Sequence, residues 1–298
     1  MVNGSTPAEV EITEETVRGL LRAQCPHMSD LPLVPFNNGW DNDIWALGED
    51  LLVRLPRRQV AAHLVENEQQ VLPLLAPRLP LPVPEPVHAG TPHGAYPWCW
   101  SVVPRFPGAR AAESVLTDQE DDARRLADFL RALHTPAAAD APENAFRGGG
   151  IASRAEGFEA LRDLLSEGTA GRTRGGAQQV WNHALNAPTW DGPAVWLHGD
   201  LHSANIVVDL GRLSAVIDWG DVCSGDPACD LAVAWMLFDA DGRDVFFGAY
   251  GEGYPGLQER ARGWALLFGL IYLRAAEGDP LMELMSRTVL DRVLGPAV

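Results

Sequence analysis

The 298-residue chain has no lysine: its 23 basic side chains other than histidine are all arginine. Any mechanism that needs a lysine ammonium is excluded, and a phosphate-binding cation has to be a guanidinium. Cysteine is scarce as well. Cys25, Cys99, Cys223 and Cys229 form no C-x-x-C pair and stand near no histidine cluster at zinc spacing, so they read as reduced thiols. No basic segment followed by an apolar run opens the chain. The most apolar stretch, Trp264 to Leu273, is about half of the ~20 residues that a bilayer span requires. A cytoplasmic protein without a membrane partner is expected. Positive charge is outweighed by 40 acidic side chains, and the formal net charge of −17 repels a phosphate backbone at long range. No nucleic-acid partner is expected, and the same field suits a small, cationic substrate. Internal repeats and low-complexity tracts are absent, and a monomer or weak dimer is expected.

At 46% hydrophobic and 21% charged residues, the composition is that of an ordinary folded protein, long enough for two lobes or one large domain. Thr13 is placed to cap a first helix with Thr16 at its third position, and Pro26 to end it. Apolar runs at 31–36, 44–47 and 51–55, separated by turn residues, predict three consecutive antiparallel strands. Helical spacing follows over 61–72, where Pro73 should kink or end the helix, and a further strand is expected at 98–103. The break at Pro104 to Gly108 suggests a boundary. Residues 118–134 are helical in pattern, two glycine-rich loops at 147–150 and 168–176 bracket another helical segment, and the chain beyond Asp226 is almost wholly helical.

Chemistry concentrates between 196 and 220. Asp200 precedes Asn205 with the D-x-x-x-x-N spacing of a kinase catalytic loop, in which the aspartate takes or orients a hydroxyl proton and the asparagine holds a metal ion. Ile206 to Val208 and Leu213 to Ile217 predict a hairpin. With Gly211-Arg212 as a two-residue turn, Asn205 would face Asp218 at its open end, as hard-oxygen ligands for Mg²⁺. Asp200 is then the base and His198 a supporting residue that braces the loop. A cation for the nucleotide phosphates is expected from Arg54 in the third strand, paired with Glu68 or its neighbour Glu66 in the helix that follows. The loop after the first strand, with Asn38, Gly39 and Asn42, is placed to cover the phosphates.

Together these segments resemble the aminoglycoside phosphotransferase family, whose members share a fold with protein kinases. The resemblance runs through Gly39-Trp40-Asp41-Asn42, Val53-Arg54-Leu55-Pro56, Glu66-Asn67-Glu68, His198 to Asn205, Val216 to Gly220 and Gly225 to Ala232. It implies an α+β, two-lobed protein-kinase-like fold, with residues 1–104 a small, β-rich nucleotide-binding lobe and 105–298 a larger, mostly helical catalytic and substrate-binding lobe. It implies ATP or GTP as phosphate donor, Mg²⁺ as cofactor, and an adenine-holding hinge near Val103 to Phe106. Asp226 is then structural, starting a helix, and Asp230 braces the catalytic loop. The implied activity is transfer of a γ-phosphate to a hydroxyl of an antibiotic, an aminoglycoside or a macrolide. The alternatives are a metabolic kinase for choline, homoserine, a fructosamine or a similar alcohol, and a non-catalytic nucleotide-binding protein. Acidic residues such as Asp239, Asp241, Glu252 and Glu277 are candidates to receive substrate amino groups, and Trp235, Phe238, Trp264 and Tyr272 are either pocket lining or core.

Overall fold

The computed structural model describes residues 8–38, 41–169, 171–251 and 254–295. The chain divides into two compact units. The first comprises Met1–Pro77, Pro82–Pro107 and Val216–Gly220, and the second Arg78–Leu81, Gly108–Ala215 and Asp221–Val298. Asp218 therefore belongs to the first unit, although it lies far beyond Pro104 in sequence.

In the first unit, helix α1 (Glu14–Gln24) starts at a reciprocal cap in which Thr13 Oγ1 accepts the Thr16 N–H at 3.2 Å. Strands β1 (Leu33–Asn38), β2 (Asn42–Leu47) and β3 (Leu51–Pro56), helix α2 (Gln59–Leu75), and strands β4 (His88–Gly90) and β5 (Trp100–Pro104) follow. The five strands form an antiparallel sheet in the order β1-β2-β3-β5-β4. Pro35 is tolerated because β1 is an edge strand. Alternation along the central β3 decides what each face holds. Val53 and Leu55 join Val17, Leu20, Leu21, Trp45 and Val102 in the core, while Arg54 projects from the opposite face. α2 runs through Pro73 to Leu75 instead of ending there. So close to the C-terminus the proline removes one intrahelical bond without breaking the rod. Gln69 ties α2 to the sheet by donating to the Trp100 carbonyl at 2.8 Å.

The second unit contains β6 (Ala109–Arg110), α3 (Gln119–Leu133), α4 (Ala155–Arg162), α5 (Arg174–Asn186), β7 (Val195–Leu197), β8 (Ile206–Asp209), β9 (Arg212–Val216), whose last residue falls in the first unit, and β10 (Cys223–Gly225). Then come α6 (Ala228–Leu231), α7 (Val233–Leu237), α8 (Ala240–Tyr250), α9 (Leu257–Ala275) and α10 (Pro280–Leu294). α9 is apolar nearly all round because it is the buried axis of this unit, packed by α4, α5, α6 and α10. β7 pairs with β10, and β6, β8 and β9 form a second small sheet. The second glycine-rich segment is part loop and part helix. Thr173 caps α5, and Gly175 sits in its first turn because a Cβ there would lie 2.3 Å from the Gly168 carbonyl oxygen.

The β8–β9 turn is not the Gly211-Arg212 pair expected from sequence. Its central residues are Leu210 and Gly211, at φ 49° and 78°, as a type I′ turn requires. Tertiary contacts choose this register. The Arg212 side chain is tied to Asp121 and Asp122 of α3, the Leu213 N–H donates to Asp122 at 3.2 Å, and the Gly211 carbonyl accepts the Thr117 N–H at 2.9 Å. The one-residue slip removes the register argument that set Asn205 opposite Asp218.

Candidate active site

The first charged cluster lies within the first unit. Arg54 Nη1 donates to both oxygens of Glu68, each at 2.8 Å, and Nη2 donates to Asp218 Oδ1 at 3.0 Å. Glu68 Oε1 also accepts the Trp219 N–H at 2.9 Å. One buried carboxylate thus holds both the cation and the segment that carries Asp218. Trp219 locks the segment further, being fully buried with Nε1 donating to the Val216 carbonyl at 3.1 Å. Asp218 has φ 64°, a left-handed conformation that aspartate tolerates better than most residues, and much of its side chain is exposed. Burial pushes the Glu68 carboxyl up from its ordinary value while Arg54 pulls it down. Burial would lower the Arg54 pKa, but the Glu68 and Asp218 carboxylates outweigh it and the guanidinium stays charged. Glu68, not Glu66, is the partner of Arg54; burial and the nearby Glu66 push the Cys99 thiol pKa up.

The second cluster lies within the second unit, on the loop that leaves β7. Asp230 of α6, wholly buried, accepts the His198 N–H at 2.7 Å and the Gly199 N–H at 2.9 Å, and lies 3.2 Å from His134 Nε2. A helix-borne carboxylate thereby fixes the loop backbone. Gly199 turns at φ 84°, where a Cβ would lie 2.2 Å from the Asp221 carbonyl oxygen. Asp200 follows, with its own N–H directed at His198 Nδ1 at 3.3 Å. Its carboxylate is held on both sides: Oδ1 accepts from Arg147 Nη2 at 3.0 Å, and Oδ2 lies 3.4 Å from His202 Nε2. His202 Nδ1 accepts the Ala204 N–H at 3.2 Å, which puts the ring proton on Nε2, toward Asp200. Burial would raise the Asp200 pKa, but His202 and Arg147 outweigh it and hold the carboxyl below the usual carboxylate range. Asn205 Nδ2 donates to the Asp200 carbonyl at 3.0 Å, leaving Oδ1 as the atom that can coordinate a cation.

Of the other residues singled out in the sequence, Asn42 opens β2, and its buried Oδ1 has no hydrogen-bond partner among the described residues. Gly39 and the side chain of Asn38 lie outside the described residues. Val103 is buried in β5 opposite Leu52, and Phe106 is half-buried two residues past that strand. Asp226 accepts the Ala228 N–H at 3.0 Å ahead of α6 and pairs with the buried Arg260 through Nε at 2.8 Å and Nη2 at 3.2 Å. Asp239 caps α8 by accepting the Gly242 N–H at 2.9 Å, and Glu252 lies outside the described residues. Trp235, Phe238, Trp264 and Tyr272 are all buried.

Arg147 is the residue that sequence reasoning missed. Its only local signal is the glycine run that follows it. A Cβ on Gly148 would lie 2.4 Å from the Ser224 carbonyl oxygen, and one on Gly225 2.0 Å from the Gly148 carbonyl oxygen. These glycines let the loop press against β10 and bring Arg147 to Asp200.

Among the described residues, no three His, Cys, Asp or Glu side chains gather as a metal cluster. Asn205 in the second unit offers an amide oxygen, and Asp218 in the first a part-exposed carboxylate, each by itself a hard donor of the kind Mg²⁺ takes.

A charged arginine held by a buried glutamate, and an ionised aspartate on a braced loop, are groups that a phosphate-transferring enzyme uses. The chain belongs to the phosphotransferase enzyme family, whose model matches residues 32–264. Viomycin phosphotransferase of Streptomyces vinaceus is 31% identical over 235 residues, 74% of each chain. In fold, the chain is similar to the GDP and kanamycin complex of APH(2″)-IIia, with a TM-score of 0.68 and 21% identity over 90% of this chain and 97% of that one. It is also similar to the macrolide 2′-phosphotransferase of Brachybacterium faecium, with a TM-score of 0.60 and 23% identity over 91% and 97%. The fold is α+β, with an antiparallel sheet in the N-terminal part and a helical C-terminal region.

Proposed function

We propose that the protein transfers the γ-phosphate of ATP or GTP to a hydroxyl of an antibiotic, with viomycin, aminoglycosides and macrolides as the acceptors to test. The observation that carries the acceptor class is the likeness to viomycin phosphotransferase over 74% of both chains. In this reading Asp200 accepts a hydrogen bond from the acceptor hydroxyl and aims its oxygen at the phosphorus. As an anion already held by two donors, it contributes mainly orientation. Arg54 neutralises charge on the donor phosphates, and Glu68 keeps its fork in place. Asn205 and Asp218 supply oxygen ligands to Mg²⁺, which when bound screens the phosphate charges. The buried Oδ1 of Asn42, without a partner among the described residues, fits a role for its loop, with Asn38 and Gly39, in covering the phosphates. Val103 to Phe106 hold the base through backbone groups. His198 and Asp226 support the loop without touching substrate. The reading includes a cytoplasmic monomer or weak dimer whose partners are small molecules only. Among the described residues, no helix is long and apolar enough to cross a membrane.

The test is a phosphotransfer screen of viomycin, a set of aminoglycosides and a set of macrolides, each with Mg²⁺ and ATP or GTP, read by the mass of the product. A monophosphorylated antibiotic is expected. Turnover of choline or homoserine with every antibiotic inert would overturn the acceptor class. If neither nucleotide raised the melting temperature with Mg²⁺ present, the kinase reading itself would fail.

A further inference from the structure

The contacts around Asp200 close into a ring. From Oδ1 the path runs 3.0 Å to Arg147 Nη2, and the Cζ of that guanidinium lies over the Phe268 ring, 4.9 Å from its centroid. Phe268 stacks on Tyr272, four residues on along α9, with centroids 6.2 Å apart and planes 19° apart. Tyr272 meets the His202 ring edge-on at 5.8 Å and 81°, and His202 Nε2 returns to Asp200 Oδ2 at 3.4 Å. Every member belongs to the second unit. α9 is the rigid platform, and the two carboxylate oxygens are gripped from opposite sides of it.

Arg147 itself is fixed from behind. Its N–H and that of Gly148 both donate to the Asn144 carbonyl, at 3.2 and 3.0 Å, and Asn144 Nδ2 donates to Asp221 Oδ1 at 2.6 Å. Arg147 Nε is buried with no hydrogen-bond partner among the described residues, a desolvation cost that the Asp200 and Phe268 contacts have to offset. A guanidinium fits the place because it offers a hydrogen-bonding edge and a stacking face at once, as an ammonium does not.

We infer that Arg147 is a positioning residue for phosphotransfer. Backed by Phe268, it holds the Asp200 carboxylate in the rotamer that receives the acceptor hydroxyl. The inference rests on the role given to Asp200 above, so its test separates the two. Because Arg147 acts through the carboxylate and not on the nucleotide, its loss should appear in kcat and leave the KM for ATP nearly untouched.

The experiment measures ADP release from Mg²⁺ and ATP with viomycin present, which counts transfer to the antibiotic and to water alike, for Asp200→Asn, Arg147→Ala, Arg147→Lys and Phe268→Leu. Arg147→Ala is expected to lower kcat by about 30- to 100-fold, the scale of a small misplacement of a reacting group. The KM for ATP should stay within roughly twofold. Arg147→Lys should recover part of the rate, and guanidinium ion added at millimolar concentration should restore part of it to Arg147→Ala. Inactive Asp200→Asn together with wild-type kcat in Arg147→Ala overturns the positioning role and leaves the Asp200 assignment standing. A fully active Asp200→Asn overturns that assignment instead. Should Arg147→Ala lose its cooperative melt, Phe268→Leu, which removes only the aromatic backing, decides: a several-fold drop in kcat supports the inference, and an unchanged kcat refutes it.

Discussion

The Arg54 cluster and the Asp200 cluster each set an arginine against a carboxylate, with the parts reversed. In the function proposed above the cation is the working group of the first, and a carboxylate, Glu68, holds it; the carboxylate is the working group of the second, and a cation, Arg147, holds it. The supports differ accordingly. Arg54 and Glu68 project from the central strand and from α2, elements already rigid through sheet pairing and helix packing. Asp200 and Arg147 both sit on loops, so rigidity has to be supplied a second time. It comes from Asp230 on two loop N–H groups, from close glycine packing against β10, and from the aromatic platform of α9. A site built on loops is only as well aimed as the groups behind it.

The comparison is tested most severely by removing each working group. Asp200→Asn keeps the shape and loses the charge, and kcat is expected to fall about 10³-fold, within the range for loss of a positioned general base. The KM for nucleotide should hardly move in steady-state assays. Arg54→Met should cost about 10²-fold in kcat/KM, the scale of one electrostatic donor. Here the KM for ATP should rise, because the guanidinium belongs to the nucleotide side and its loss strands Glu68 in a buried place. If Asp200→Asn shifted mainly the nucleotide KM, or Arg54→Met left it unchanged, the two clusters would not divide the work as described.

How much of this was legible beforehand follows the same division. The Arg54 cluster could be read almost whole, because a strand period and a helix period locate a pair of residues fourteen apart, and the absence of lysine left Arg54 as the cation at that point in the strand. The choice between Glu66 and Glu68 needed the helix phase in three dimensions. In the second cluster Asp200 and Asn205 were legible through local spacing and Asp230 only through the family resemblance, whereas Arg147 was not legible at all. It reaches Asp200 across 53 residues of chain, by a loop path that no periodicity encodes. The fold was readable where propensity and tertiary contacts agree, as at the Thr13 cap and the first three strands. It was misread at Leu210-Gly211, where ties to Thr117 and to Asp121 and Asp122 override the turn that local preference favours.

A smaller effect separates bracing from chemistry. Asp230→Asn turns one of two acceptor oxygens into a donor that confronts a loop N–H, leaving a buried pair unsatisfied in a wholly enclosed place. A loss of about 2 kcal/mol is expected in urea denaturation, the usual cost of a stranded buried polar group. Turnover should fall too, through the loosened Asp200, while the KM for ATP stays close to wild type. Full activity in a destabilised protein would show that Asp200 is aimed without its backbone brace, and would shift the weight of positioning onto Arg147 and His202.

The smallest effect concerns the hairpin through which the chain passes from Asn205 to Asp218. Leu210 occupies a left-handed position at φ 49° and is 91% exposed, so it bears backbone strain and gains nothing from burial. Asparagine relieves that strain and is the favoured residue before glycine in a type I′ turn. Leu210→Asn is therefore expected to stabilise the protein by about 1 kcal/mol in chemical denaturation, given the left-handed penalty for a residue with a branched side chain. Catalysis should be unaltered, since neither cluster contacts the tip. A stabilised protein with changed kcat would mean that the tip's strain is transmitted along β8 and β9 to the ends that carry Asn205 and Asp218, and that the two clusters are tuned together through the hairpin.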